Sequence, residues 1–247
     1  ISSSRLRSSG RSITIAENAM NAVIDHNDID SQAKCNSRTW FGIILQPNKS
    51  GYNPHIYRNY FHDAVALCSG GDDNSAMHIG GSRSRSRHNV GALVEYNLFE
   101  NWKGDDEIIS NKSSGNTYQF NTAIGGKEFV NRHGEGNKWI ANWIEATGIR
   151  IHDGDHLVIG NVTPRIRAYA GNVSESAWEG SGSIPSAAYV HNHNTVFAGN
   201  KSTLLLGYNP KNNFKRESTD ITVEAHDGGI TQDNVEKSSL NISNTTN

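Results

Sequence analysis

Two short segments carry residue types suited to moving a proton on and off a carbon acid. Lys112 lies in EIISNKSSGN, and about one structural repeat later the segment EFVNRHG brings Arg132 and His133 side by side. A lysine acts as a base once neighbouring cations disfavour its charged form, and a guanidinium or imidazole beside it offers positive charge and a proton. If the two segments stack, all three side chains project onto one surface. That surface would suit removing one proton from a sugar acid and returning another, which is the chemistry of a lyase. A solvated turn lysine is the competing reading of Lys112.

Such stacking needs elements that repeat. Asn followed two residues later by a large apolar residue recurs at Asn27, Asn59, Asn97, Asn121 and Asn142, and related turns occur at Asn161 and Asn200. From Asn59 through Asn161 the intervals are 38, 24, 21 and 19 residues. A period near 20, with short apolar runs between polar turns, describes a solenoid whose coils bury their inward side chains by stacking on neighbours. Runs such as SITIAE, LVIGN and DITVEA are strand-like, and no segment sustains helical periodicity with caps. Asn suits the turns because it tolerates left-handed backbone and can hydrogen-bond to its copy on the next coil. The fold expected is all-β, a right-handed, single-stranded parallel β-helix.

The chain has 247 residues, enough for one domain or one repeat array, and no linker divides it. We read 1–247 as a single β-helix domain, with an irregular tail over 238–247. The abrupt first coil is consistent with a piece of a longer protein. Hydrophobic residues make up 35% and Gly numbers 24, a balance that fits a thin elongated core better than a thick globular one. A formal net charge of -2 argues against a nucleic-acid binder. No run approaches the ~20 apolar residues of a membrane span. The N-terminal ISSSRLRSSG has no apolar signal core, so a secreted or periplasmic location implies a signal already removed. Cys35 and Cys68 are too few for a disulfide framework or a zinc site, leaving one disulfide or two buried thiols. The basic run Ser82–His88 reads as a solvated loop or as a loop beside an anion-binding groove.

The run from Asn97 to Asn161 resembles polysaccharide lyase family six and its relatives, the β-helical alginate lyases and chondroitinase B. NKSSGN is similar to that family's lysine motif, NRHG to its arginine-histidine motif, and TGIRIHDGDHLVIGN to the coil that follows. The resemblance implies β-elimination across C4 and C5 of a uronate, with Lys112 as base and Arg132, assisted by His133, on the side of the departing O4. The substrate would be an anionic polysaccharide and the enzyme a monomer. Arg150, His152 and His156, one coil further on, and His78, in a place where the family often carries Arg, would extend a substrate-binding groove.

Many members of that family stabilise charge with calcium held by an Asn and two carboxylates. Asp105 and Glu107 are spaced to face one side of a strand just before Lys112. GDDNSAMHIGGS offers Asp72, Asp73 and Asn74, and inward-facing Met77 and Ile79 would turn Asn74 outward as the third ligand. Oxygen donors of this kind suit Ca²⁺. The alternative is a carboxylate pair that salt-bridges Lys112 or Arg132. Alginate is the expected polymer and dermatan or chondroitin sulfate the alternative. A non-catalytic glycan-binding or structural β-helix would show the same repeats, and a glycoside hydrolase would leave the lysine unexplained.

Overall fold

A computed structural model of the chain describes residues 1–8, 10–31, 41–66, 74–81, 88–169, 192–208, 220–232 and 240–246. Among these residues there is no helix, and every strand pairing is parallel. A nine-stranded sheet forms one face of the molecule, and a 15-stranded sheet wraps round the other two. Val162–Tyr169 joins those two faces: its start pairs with Trp143, while Ile166–Ala168 pairs with Ile149–Ile151. The chain therefore winds as a parallel β-helix, one strand on each face per coil.

Alternation builds the core. In Thr117–Gln119 only the central Tyr118 is buried, and it stacks on Trp139 of the next coil with ring centroids 4.2 Å apart. Phe61 and Phe99 stack in the same way at 4.8 Å on a second face. Ile43, Met77, Ile109, Phe129 and Ile149 form the inward column of the third. Each fully buried large side chain contributes about 1.5–3 kcal/mol of hydrophobic stabilisation, realised only once the neighbouring coil covers it.

One corner is held by asparagine. Asn27, Asn59, Asn97, Asn121, Asn142, Asn161 and Asn200 form a buried ladder in which each Nδ2 donates to the next Oδ1 at 2.9–3.1 Å. The same Oδ1 accepts the backbone N–H of the preceding rung. The expected ladder is present, but the left-handed backbone belongs to the residue before each Asn: His26, Arg58, Tyr96, Phe120, Ala141, Gly160 and Gly199 all have positive φ. The Asn is chosen for its amide, which satisfies buried backbone groups at a corner where no sheet can.

Leu240–Ser243, inside the tail expected to be irregular, is a strand paired with Ile221–Glu224, because its backbone simply continues the nine-stranded ladder. Cys35 and Cys68, Asp72 and Asp73, and Ser82–Arg87 lie outside the described residues.

Candidate active site

Glu107–Lys112 and Glu128–His133 are neighbouring strands of one face. Ile109 and Phe129 point inward in register, as do Asn111 and Asn131. The register then shifts, so that Lys112 stands opposite His133 and Arg132 becomes an additional residue in its strand. Arg132 points outward by ordinary alternation after the inward Asn131, and the bulge brings His133 level with Lys112. On the other side Lys112 pairs with Gly80. A Cβ on Gly80 would come within 2.0 Å of the Lys112 carbonyl oxygen, and φ is +120°, so only glycine lets the preceding coil close over the lysine.

Below this surface is a second polar cluster that sequence reasoning missed. Asn111 Nδ2 donates to Asn131 Oδ1 at 2.7 Å, Asn116 and Tyr118 donate to Asn111 Oδ1, and Asn137 donates to Asn131 Oδ1. The signal was present as the repeated pattern of Asn before the candidate Lys or Arg and again a few residues later, in NKSSGN and NRHGEGN. Fully satisfied buried networks of this kind rigidify what they support. His156 belongs to it. Its Nδ1 accepts the Asn137 N–H at 3.1 Å and its Nε2 donates to the His152 carbonyl at 2.8 Å, at the place where Asn137 serves Asn116. The expectation that His156 lines a substrate groove is therefore corrected: it is a fully buried rung, and burial pushes its pKa down to about 4.

The outward side chains form a chain of charges. Arg132 Nη1 lies 2.9 Å and Arg150 Nη2 2.6 Å from the same oxygen of Glu107. Arg150 Nε lies 3.7 Å from Glu128, which also pairs with Arg167 and, at 3.6 Å, with Arg165. Burial alone would raise the Glu107 carboxyl, but Arg132 and Arg150 outweigh it and hold the pKa below the usual carboxylate value. Glu107 thus pairs with the arginines, while among the described residues no carboxylate lies within ion-pair distance of Lys112. Glu128, Arg165 and Arg167 had no motif to mark them.

His133 is buried opposite Lys112. His78 and His152 are also nearly buried and form walls of the site more than contact surface. The His78 ring packs edge-on against Phe41 at 5.1 Å; burial first, then the Lys112 charge, depresses its pKa to about 3. Burial followed by Arg150 pushes His152 well below the ordinary value. Both shifts favour the neutral ring.

Asn74 and Asp105 come together on adjacent coils. The side chain of Asn74 lies against Gly104, where a Cβ would be 2.9 Å from its own, and Ser75 Oγ donates to Asp105 Oδ2 at 3.3 Å. Met77 and Ile79 face inward as expected, whereas Asn74 is buried. Among the described residues no group of three or more His, Cys, Asp or Glu side chains forms a metal-binding cluster. The donors present are hard oxygens from one amide and two carboxylates, a set that suits Ca²⁺, with Glu107 already anchored by its arginines. A groove of about 520 Å³, lined by Trp143, Glu145, Pro164, Lys201 and Asp227, lies apart from these residues.

Comparison with curated protein sequences gives no significant match. Among solved structures, the chain is similar to a PL6 alginate lyase in complex with a trisaccharide, at 20% identity and a TM-score of 0.63, covering 92% of this chain and 55% of that one. It is similar to the alginate lyase AlyF-OU02 in complex with G6, at 19% identity and a TM-score of 0.67, covering 96% and 57%. A mannuronic acid specific family 6 lyase from human gut microbiota aligns at 21% identity and a TM-score of 0.64, covering 94% and 61%. This chain thus spans little more than half the length of these structures, and the likeness shows the shared parallel β-helix. Residues 6–203 match the family profile described as Chondroitinase B. That match takes in most of the chain, including both motif strands and the coil after them, and the protein belongs to the chondroitinase B family of polysaccharide lyase family six relatives.

Proposed function

We propose that the chain is an eliminative lyase for a uronate polysaccharide, with alginate the leading substrate. The observation that carries this reading is that Lys112 and the Arg132–His133 pair lie on paired neighbouring strands, while Glu107 pairs with arginines and not with the lysine. Lys112 takes the proton from C5, and the electron pair moves toward the uronate carboxylate, whose developing charge meets Arg132 and Arg150. The C4–O4 bond then breaks as C4=C5 forms, and the departing O4 receives a proton from the Arg132 and His133 side. The neutral rings of His78 and His152 keep the walls of the site uncharged. Asn74, Asp105 and Glu107 are the residues that would hold calcium, and a bound ion would add positive charge beside the substrate carboxylate. Function at a secreted or periplasmic location, as a monomer, completes the reading.

Dermatan or chondroitin sulfate is the second substrate, favoured by the family profile that the sequence matches. One assay tests both. The protein is mixed with polymannuronate, polyguluronate, alginate and dermatan sulfate, and the ultraviolet absorbance of the unsaturated uronyl end is followed, since elimination creates it and hydrolysis does not. Absorbance that rises with the alginate polymers supports the leading reading. No rise with any of the four overturns the lyase assignment.

A further inference from the structure

The outer face repeats its guanidinium–carboxylate arrangement. Glu107 and Glu128 stand opposite each other in register, Gly148 follows Glu128, and the next strand places Arg165 level with Gly148 because Ile149 pairs with Ile166. A Cβ on Gly148 would sit 2.9 Å from Arg165 Cγ and 2.3 Å from its carbonyl oxygen, so the arginine side chain runs over the space the glycine leaves. Its Nη2 reaches Glu128 at 3.6 Å. Each carboxylate then anchors one shielded and one exposed guanidinium. Arg150 and Arg167 are 18% and 14% exposed, while Arg132 and Arg165 are 41% and 40% exposed.

Within this cluster of described residues four arginines share two carboxylates, and the exposed arms are where an added anion can meet them. The carboxylate of Glu128 is already engaged by Arg167 and approached by Arg150, so its contact with Arg165 orients that guanidinium without neutralising it. A planar donor fork in this state is complementary to a carboxylate. We propose that Arg165, held by Glu128 across Gly148, is a second receptor for a uronate carboxylate, gripping a sugar beyond the one at Lys112 and Arg132. Glu128 is its positioning residue. This rests on the lyase reading given above.

The test compares oligouronates of two to six residues on wild type, Arg165→Gln and Glu128→Gln. In the wild type KM falls once the oligomer is long enough to reach Arg165. Arg165→Gln erases that step, raising KM for the hexamer about tenfold, the loss of one charge-assisted contact, with kcat within about twofold. Glu128→Gln raises KM in the same way, and the double variant is no worse than Arg165→Gln alone. Unchanged KM at every length, or a fall in kcat at unchanged KM, overturns the proposal. Should Arg165→Gln not fold, Arg165→Lys decides by the same length comparison. If wild type yields no unsaturated product, the lyase reading fails by itself, and calorimetric binding of the hexamer still judges Arg165: weaker binding by Arg165→Gln supports the receptor, equal binding overturns it.

Discussion

The asparagine corner and the candidate active face sit on the same coils and obey opposite rules. At the corner, one residue type recurs on seven coils, joined by the same two hydrogen bonds at six successive steps, and the ladder is buried throughout. On the candidate face the columns mix His78, Lys112, Arg132 and Arg150, the register slips by one residue, and carboxylates are buried between guanidiniums. Periodicity is kept where neighbouring coils need only to stack and is broken where groups of different chemistry are brought together.

The largest expected effect lies on the aperiodic side. Lys112→Ala should lower turnover by about 10²–10⁴, the contribution of a positioned base, while binding of the polymer by calorimetry changes little. Near-normal turnover would return the face to a binding role. On the periodic side, Asn121→Ala removes the acceptor for Asn97 N–H and Nδ2 and the donor to Asn142 and Val94. A loss of about 3 kcal/mol or more in urea unfolding is expected from the stranded buried groups, with kcat preserved in the protein that remains folded. A neutral outcome would mean that the ladder is decoration on a corner held by other contacts.

Smaller effects sharpen the contrast. If Asn74, Asp105 and Glu107 bind calcium, millimolar Ca²⁺ should raise the melting temperature, chelation should lower it and the activity together, and Glu107→Gln should reduce both responses. A melting curve indifferent to the ion would leave charge stabilisation to Arg132 and Arg150. The smallest effect concerns Asp153, whose carboxylate accepts the Gly134 N–H at 2.9 Å just behind the Arg132–His133 corner. Burial pushes its pKa up to about 8 against an ordinary value of 3.8. Between those values the native state holds a proton that the unfolded chain has released, so stability falls as pH rises from about 4 to about 8. Asp153→Asn should flatten that part of the profile, measured as melting temperature against pH.

Much of this was legible in the residues. Asn97, Asn121 and Asn142 announced equivalent turns through spacing, and Lys112, Arg132 and His133 stood out because reactive types recur one coil apart. Even there the reason for Asn was half right, since the left-handed backbone falls on the preceding residue. The strand in Leu240–Ser243 was hidden by polar composition, because a backbone that extends an existing ladder needs little help from its side chains.

The sequence by itself determined the solenoid and the stretch in which the chemistry is concentrated, for both follow from a period and from residue types that need no partner to be recognised. Tertiary structure alone decided what those residues do to one another. His156 looks like a substrate contact in the string and becomes a ladder rung when Asn137 donates to it, and Glu107 is found to be the shared anchor of Arg132 and Arg150, which its spacing alone did not show. These assignments depend on which residues of neighbouring coils come level with one another, which no single coil encodes.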